Sequence, residues 1–156
     1  MKVRMISVGT KMPRWVQDGV AEYKKRIEKE LGFVIEEVPL VKRTKTQNID
    51  QCIQKEGAAL LSRVHKDDFV VALDVAGKSL DTKTLARRIA ELRLDGINLS
   101  LLVGGPDGLS KECRTRADES WSLSALTLPH QLVRILVAEQ LYRACSILKG
   151  HPYHRE

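Results

Sequence analysis

At 156 residues the chain fits one domain, 1–156, and folding would bury about 70% of its extended surface, enough for a core without disulfide or metal staples. Apolar residues at 43% and charged residues at 29% exclude a disordered or fibrous chain, and no apolar run approaches the roughly 20 residues that span a bilayer. A balance of 26 Lys and Arg against 20 Asp and Glu leaves a charge of +6, compatible with a polyanionic partner such as RNA and equally with a basic enzyme that binds none.

The first apolar run, residues 3–8, ends at Gly9-Thr10 and predicts a strand. Arg4 interrupts it and Lys2 precedes it, unlike the long apolar core of a secretory leader. Pro13 opens a stretch in which Val16, Val20, Tyr23, Ile27 and Leu31 recur three and four apart, one face of a helix, with Gly32 expected just past its end. Residues 33–38 read as a strand, and Ile49, Ile53, Leu60 and Val64 mark a second helix. Residues 69–74 form an apolar strand that finishes in Asp74. Asp81 suits the N-cap of a third helix carrying Leu85, Ile89 and Leu92, with Gly96 after it. Residues 99–103 are a fourth buried strand, followed by Gly104-Gly105-Pro106-Asp107-Gly108. Ser110 can cap a short helix, residues 121–126 offer a fifth strand, and the last helix runs over 130–148.

Apolar strands alternating with helices predict an α/β fold whose parallel sheet is covered on both faces. The last helix differs, because Leu132, Val133, Ile135, Leu136, Val137 and Ala138 leave almost no polar face. Such a helix is buried on more than one side, either at the centre of the monomer or against a second copy of the chain. Cys52, Cys113 and Cys145 lie far apart without a CxxC and predict reduced, mostly buried thiols in a cytoplasmic protein.

Ligands of parallel sheets bind outside the carboxyl ends of strands. Three glycines and a proline in residues 104–108 make either a tight structural turn or a ligand floor. Ala76-Gly77-Lys78-Ser79 resembles the end of a P-loop, but position 72 is Ala where that motif needs glycine. Gly9-Thr10-Lys11-Met12-Pro13 cannot supply a dinucleotide fingerprint after the first strand, and G-x-S-x-G is absent. His130, His151 and His154 have no ligand partners at a metal-binding spacing. The final residues, His151-Pro152-Tyr153-His154-Arg155-Glu156, are either a solvated end or a functional tail, since they combine an aromatic ring, two imidazoles and a guanidinium. Lys42, Arg43 and Lys45 lie in a loop without balancing acids, which makes them the better phosphate contacts among the basic clusters.

Taken together these residues resemble the ribosomal RNA large subunit methyltransferase H family. The resemblance is carried by residues 69–74 with Gly77-Lys78, by Val103-Gly104-Gly105 and Gly108, and by Ser124 with Thr127-Leu128-Pro129-His130-Gln131-Leu132. Arg134, Glu139-Gln140, Tyr142-Arg143-Ala144, Gly150 and Pro152-Tyr153-His154-Arg155 continue it. Lys2, Gly9-Thr10-Lys11, Trp15, Gly19, Glu22-Tyr23 and Arg26 extend it across the N-terminal half, with no departure at the motif positions.

The resemblance implies a small SPOUT-type fold with a C-terminal trefoil knot, a feature rare among proteins. It implies a homodimer that uses S-adenosyl-L-methionine to methylate N3 of a pseudouridine in 23S rRNA, on the large subunit or the 70S ribosome. Leu73, Gly104, Gly105, Leu123, Ser124, Ala125, Leu126, Thr127 and Leu128 would then form the cofactor pocket. The tail of one subunit would approach the active site of the other, with His154 as proton acceptor and Tyr153 and Arg155 holding phosphate or ring. Rival readings are a related methyltransferase of tRNA, an RNA-binding module without catalysis, and a nucleotide hydrolase built on Gly77-Lys78-Ser79.

Overall fold

The computed structural model describes residues 1–154, the last of them by its backbone alone. Five strands form one parallel sheet in the order β2-β1-β4-β3-β5: β1 (Lys2–Val8), β2 (Gly32–Val38), β3 (Phe69–Ser79), β4 (Leu99–Val103) and β5 (Glu119–Ser122). The helices between them are α1 (Arg14–Ile27), α2 (Ile49–Ser62), α3 (Thr82–Leu94) and α4 (Lys111–Arg116). After β5 comes α5 (His130–Lys149), then one 3-10 turn, Pro152–His154.

Side-chain alternation in the strands sorts the core into two layers. Val3, Met5, Val71, Leu99 and Leu101 face one layer, closed by Ile27 of α1, Ile89 of α3 and Val137 and Leu141 of α5. Ile6, Val8, Val70, Ala72 and Leu102 face the other, closed by Leu60 of α2 and Cys113 of α4. Both faces are therefore covered, as the continuous apolar runs predict. Within the second layer Arg4 pairs with Asp68, and the Ser100 hydroxyl donates to the same carboxylate at 2.7 Å. Burial alone would raise the Asp68 carboxyl, but the hydrogen bonds from Arg4 and Ser100 hold it below its ordinary value. Among the described residues no helix is long and apolar enough to cross a membrane.

The caps at Asp81 and Ser110 form as their residue types predict, accepting from the N–H of Thr84 and Cys113. Elsewhere the boundaries move. Helix α1 stops at Ile27, before Leu31, and Gly32 begins β2 with its N–H bonded to the carbonyl of Met1. Helix α2 buries Cys52, Glu56 and Leu60, while Ile49 is exposed, so its inner face is rotated from the apolar spacing because Glu56 finds an ion pair. Strand β3 continues to Ser79, and Gly77 belongs to it: a Cβ there would lie 2.8 Å from the backbone carbons of Ser120 and Trp121. That close strand contact accounts for the glycine without a phosphate loop. Strand β5 ends at Ser122, so residues 123–126, expected as strand, are loop. Helix α5 buries Val133, Val137, Leu141 and Cys145 on one side, and its other side leaves Leu132 and Leu136 exposed at 40% and 39%. Within the single chain it is thus not wrapped on every side.

Candidate functional site

The carboxyl ends of β3 and β4 and the chain leaving β5 surround a cavity of about 480 Å³, within the range of small-molecule sites. Its first wall comes from an irregularity in β3. Leu73 and Lys78 both pair with Trp121, so residues 74–77 form an arch without ladder partners that brings Asp74 and Val75 to the cavity beside Leu73, while Gly77 at its end stays against β5. The Asp74 carboxylate accepts from the N–H of Ala76 at 3.0 Å and from Nε of Arg114 at 3.2 Å, which fixes the arch.

The floor is the turn after β4. A Cβ on Gly104 would stand 2.6 Å from the carbonyl carbon and oxygen of Gly108, and one on Gly105 would meet Val8 at 3.1 Å. Gly108 has φ +85° and donates its N–H to the carbonyl of Gly105 at 3.1 Å. The glycines are therefore required by the turn itself, and the turn lines the cavity: the two readings of this segment are both met.

The third wall is the loop from β5 to α5. Ser122 Oγ donates to the carbonyl of Ser124 and Ser124 Oγ accepts from the N–H of Leu126, both at 3.0 Å, giving the loop a local framework. Leu123, Ser124, Leu126, Thr127 and Leu128 line the cavity with Leu73, Gly104 and Gly105; Ala125 is exposed on the same loop and does not line it. Apolar walls with backbone N–H and C=O edges suit a flat heteroaromatic ring.

Arg114, His130 and Val133 also line the cavity and are not among the residues the sequence pattern singles out for it. Neither Arg114, in the last turn of α4, nor His130, the first residue of α5, carries a periodic mark that singles it out for the cavity. Nδ1 of His130 is buried with no hydrogen-bond partner among the described residues. Burial and then the charge of Arg134 push this imidazole below its ordinary value, so it is neutral at neutral pH. Arg134 is itself buried, bonded to Glu37 at 2.6 Å and to the carbonyl of Gly9 at 2.8 Å, which ties the start of α5 to the end of β1.

The tail lies elsewhere. The Tyr153 hydroxyl donates to Glu139 at 3.2 Å and its ring meets the edge of Tyr142 at 4.4 Å between centroids. Burial, then the Glu139 charge, raises the phenol above its ordinary value. Glu139 is about 9 Å along the helix axis beyond Val133, the last residue of α5 to line the cavity, at 1.5 Å per residue, and Tyr153 is not among the lining residues of its own chain's cavity. Arg155 and the side chain of His154 lie outside the described residues.

Lys42 and Lys45 are exposed and form no ion pair among the described residues, whereas Arg43 is half-buried between Glu56 and Asp107. The loop is therefore not without balancing acids: they arrive from α2 and from the turn after β4, distant in sequence.

A family model described as "Predicted SPOUT methyltransferase" matches residues 1–154. The chain is 52% identical over 155 residues to a protein of Saccharophagus degradans named ribosomal RNA large subunit methyltransferase H, covering 99% of this chain and 100% of that one. It is 49% identical, with the same coverage, to a protein of the same name from Marinomonas sp.. Among solved structures it is similar at a TM-score of 0.51 and 13% identity to a probable methylase family protein from Haemophilus influenzae, covering 95% of this chain and 66% of that one. The last likeness speaks to fold, and the parallel sheet agrees with it. Whole-length matches to the family model and to both relatives, on a chain whose strand ends enclose a ring-sized cavity, lead to one conclusion: the chain belongs to the SPOUT methyltransferase family.

Proposed function

We propose that this chain methylates N3 of a pseudouridine in large-subunit rRNA, on the large subunit or the assembled ribosome, taking the methyl group from S-adenosyl-L-methionine and acting as a homodimer with a C-terminal trefoil knot. The observation that carries the reading is the cavity at the ends of β3, β4 and β5, on a chain about half identical over its length to proteins named for large-subunit rRNA. Its residues fit the donor: Leu73, Leu123 and Leu128 can enclose an adenine ring, and the buried Nδ1 of His130, unpartnered among the described residues, leaves a polar position to satisfy. When bound, the donor supplies a methyl on a sulfonium, which needs no phosphate cradle and agrees with a glycine turn that lacks P-loop chemistry.

The residues of this chain hold and orient. Methyl transfer to a ring nitrogen requires acceptor and donor carbon to be aligned at about 3–3.5 Å, so the rigidity of the arch, turn and loop matters directly. N3 carries a proton that must leave, and His154 is suited to take it. Because Tyr153 rests on Glu139, about 9 Å along α5 beyond Val133, where that helix last lines the cavity, this reading needs the tail of a second copy. The exposed Leu132 and Leu136 offer that copy an apolar face, and Lys42 and Lys45 offer phosphate contacts.

The test is mass mapping of methylated nucleosides after incubating the protein and donor with ribosomes lacking the mark, with tRNA offered in parallel. One new N3-methylpseudouridine in 23S rRNA supports the reading. A methyl on tRNA, or salt-sensitive RNA binding without donor uptake, refutes it.

A further inference from the structure

An arginine guanidinium has five N–H donors. In Arg43 all five are spent inside the chain. Nε and Nη2 donate to Oδ2 of Asp107 at 3.1 and 3.0 Å, Nη1 donates to the carbonyl of Val41 at 2.7 Å and to Oε2 of Glu56, and Nη2 also reaches Oε1 of Glu56 at 3.1 Å. A phosphate contact would have to break one of these bonds. Glu56, fully buried on α2, is an anchor: it also accepts from the N–H of Val41 at 3.0 Å. Asp107, by contrast, is an exposed residue at the tip of the glycine turn that floors the cavity.

We infer that Arg43 is a positioning residue for the methyl-donor cavity, fastening Asp107 and with it the turn of residues 104–108 to the buried carboxylate of Glu56. The inference rests on the donor reading of that cavity given above. It reverses the sequence-based expectation for Arg43 and separates it from its neighbours. Lys42 and Lys45 project from the loop, while Arg43 holds the loop and the cavity floor together. A two-pronged bridge needs the planar fork of arginine, and a lysine ammonium cannot reproduce it. Without the bridge, the turn keeps its Gly105–Gly108 bond but loses its tie to α2, and the backbone that lines the donor cavity is no longer held in one place.

The full-length chain is titrated calorimetrically with S-adenosylhomocysteine, and its binding to ribosomes is measured across a salt series. Arg43→Ala, Arg43→Lys, Asp107→Ala and Lys45→Ala are compared with the parent. Asp107→Ala leaves the buried Arg43–Glu56 pair intact, so it reports on the tether even if Arg43→Ala folds poorly. Arg43→Ala and Asp107→Ala are expected to weaken S-adenosylhomocysteine binding about tenfold, to raise KM for the donor with kcat within about threefold, and to leave the salt slope of ribosome binding unchanged. Arg43→Lys is expected to rescue only part of the loss, and a chain carrying both Arg43→Ala and Asp107→Ala to lose no more than Arg43→Ala alone. Lys45→Ala should do the opposite, lowering the salt slope by about one with donor affinity intact. Parent-like donor binding in Asp107→Ala and Arg43→Ala overturns the inference, as does a salt slope reduced by Arg43→Ala. A parent chain that takes up no S-adenosylhomocysteine at all overturns the donor reading and this inference together.

Discussion

Gly104→Ala is the sharpest perturbation of the cavity, because the added methyl meets backbone and nothing flexible. It would stand 2.6 Å from the carbonyl group of Gly108 and 2.9 Å from the N–H of Leu109, where ordinary contact begins at 3.4 Å, so the turn must open by about 0.8 Å. Overpacking of this kind costs about 1–3 kcal/mol, and in a domain of this size each kcal/mol lowers Tm by roughly 2–4 °C, which predicts a fall of about 2–12 °C. The kinetic effect is larger, since a displacement near 1 Å at a positioning surface costs on the order of a hundredfold. The assay pairs thermal unfolding with kcat/KM on ribosomes lacking the mark. Gly96→Ala is the control: its φ of +68° is strained for alanine, yet nothing lies within 4 Å and it is remote from the cavity, so it loses about 1–2 kcal/mol of stability and no activity. A Gly104→Ala chain with parental Tm and parental kcat/KM would refute the idea of a rigid floor.

Three further outcomes follow from the same contacts. Asp68→Ala strands the buried Arg4 guanidinium and is expected to cost about 3–5 kcal/mol by urea unfolding, and because the Asp68 carboxyl lies below its unfolded value, its contribution is complete above the ordinary carboxylate range and disappears as pH falls through the lowered value. The His130 imidazole, lowered by burial and Arg134, should titrate by NMR below the usual histidine range; its neutral form favours the fold, so that contribution is complete above about pH 6.5 and is lost on acidification through the lowered value. Leu136→Asp places a carboxylate on the exposed side of α5 and, on the proposed homodimer, is expected to weaken self-association roughly a hundredfold, on the order of 3 kcal/mol, by sedimentation, with little change in the unfolding of the monomer; a parent chain that sediments as a monomer refutes that dimer.

The sheet was legible because its strands are buried on both faces and read as unbroken apolar runs, and the caps were legible because Asp81 and Ser110 act on N–H groups three residues away. What escaped depends on partners distant in sequence. Glu56 falls on the inner face of α2 because Arg43 meets it there, and Arg43 is withdrawn from the surface because Glu56 and Asp107 converge on it. Gly77 looks like phosphate-loop glycine until the backbone of β5 is seen against it. The loop after β5 reads as strand by composition, yet Ser122 and Ser124 bond locally and release it from the ladder. Most of the cavity was recoverable from loop position and the family resemblance together; His130 and Arg114 needed coordinates, since helix-terminal residues carry no periodic mark.

The arrangement of tail and cavity allows a test that neither single variant provides. Each chain holds its cavity at the start of α5, as far as Val133, and Tyr153 against Glu139, about 9 Å further along the same helix. If two copies complete each other, a chain carrying Gly104→Ala keeps only about a hundredth of parental activity alone and a chain shortened before His151 is inactive alone. Mixed at equal concentration under exchange, half of the dimers contain one of each, and each mixed dimer has one centre built from an intact cavity and an intact tail. Activity per chain should then recover to about a quarter of the parental value. If the tail served its own chain, the mixed dimer would join two defective centres and nothing would recover. Recovery near a quarter distinguishes a shared centre from contamination by parental chain, because it must fall as either partner is placed in excess.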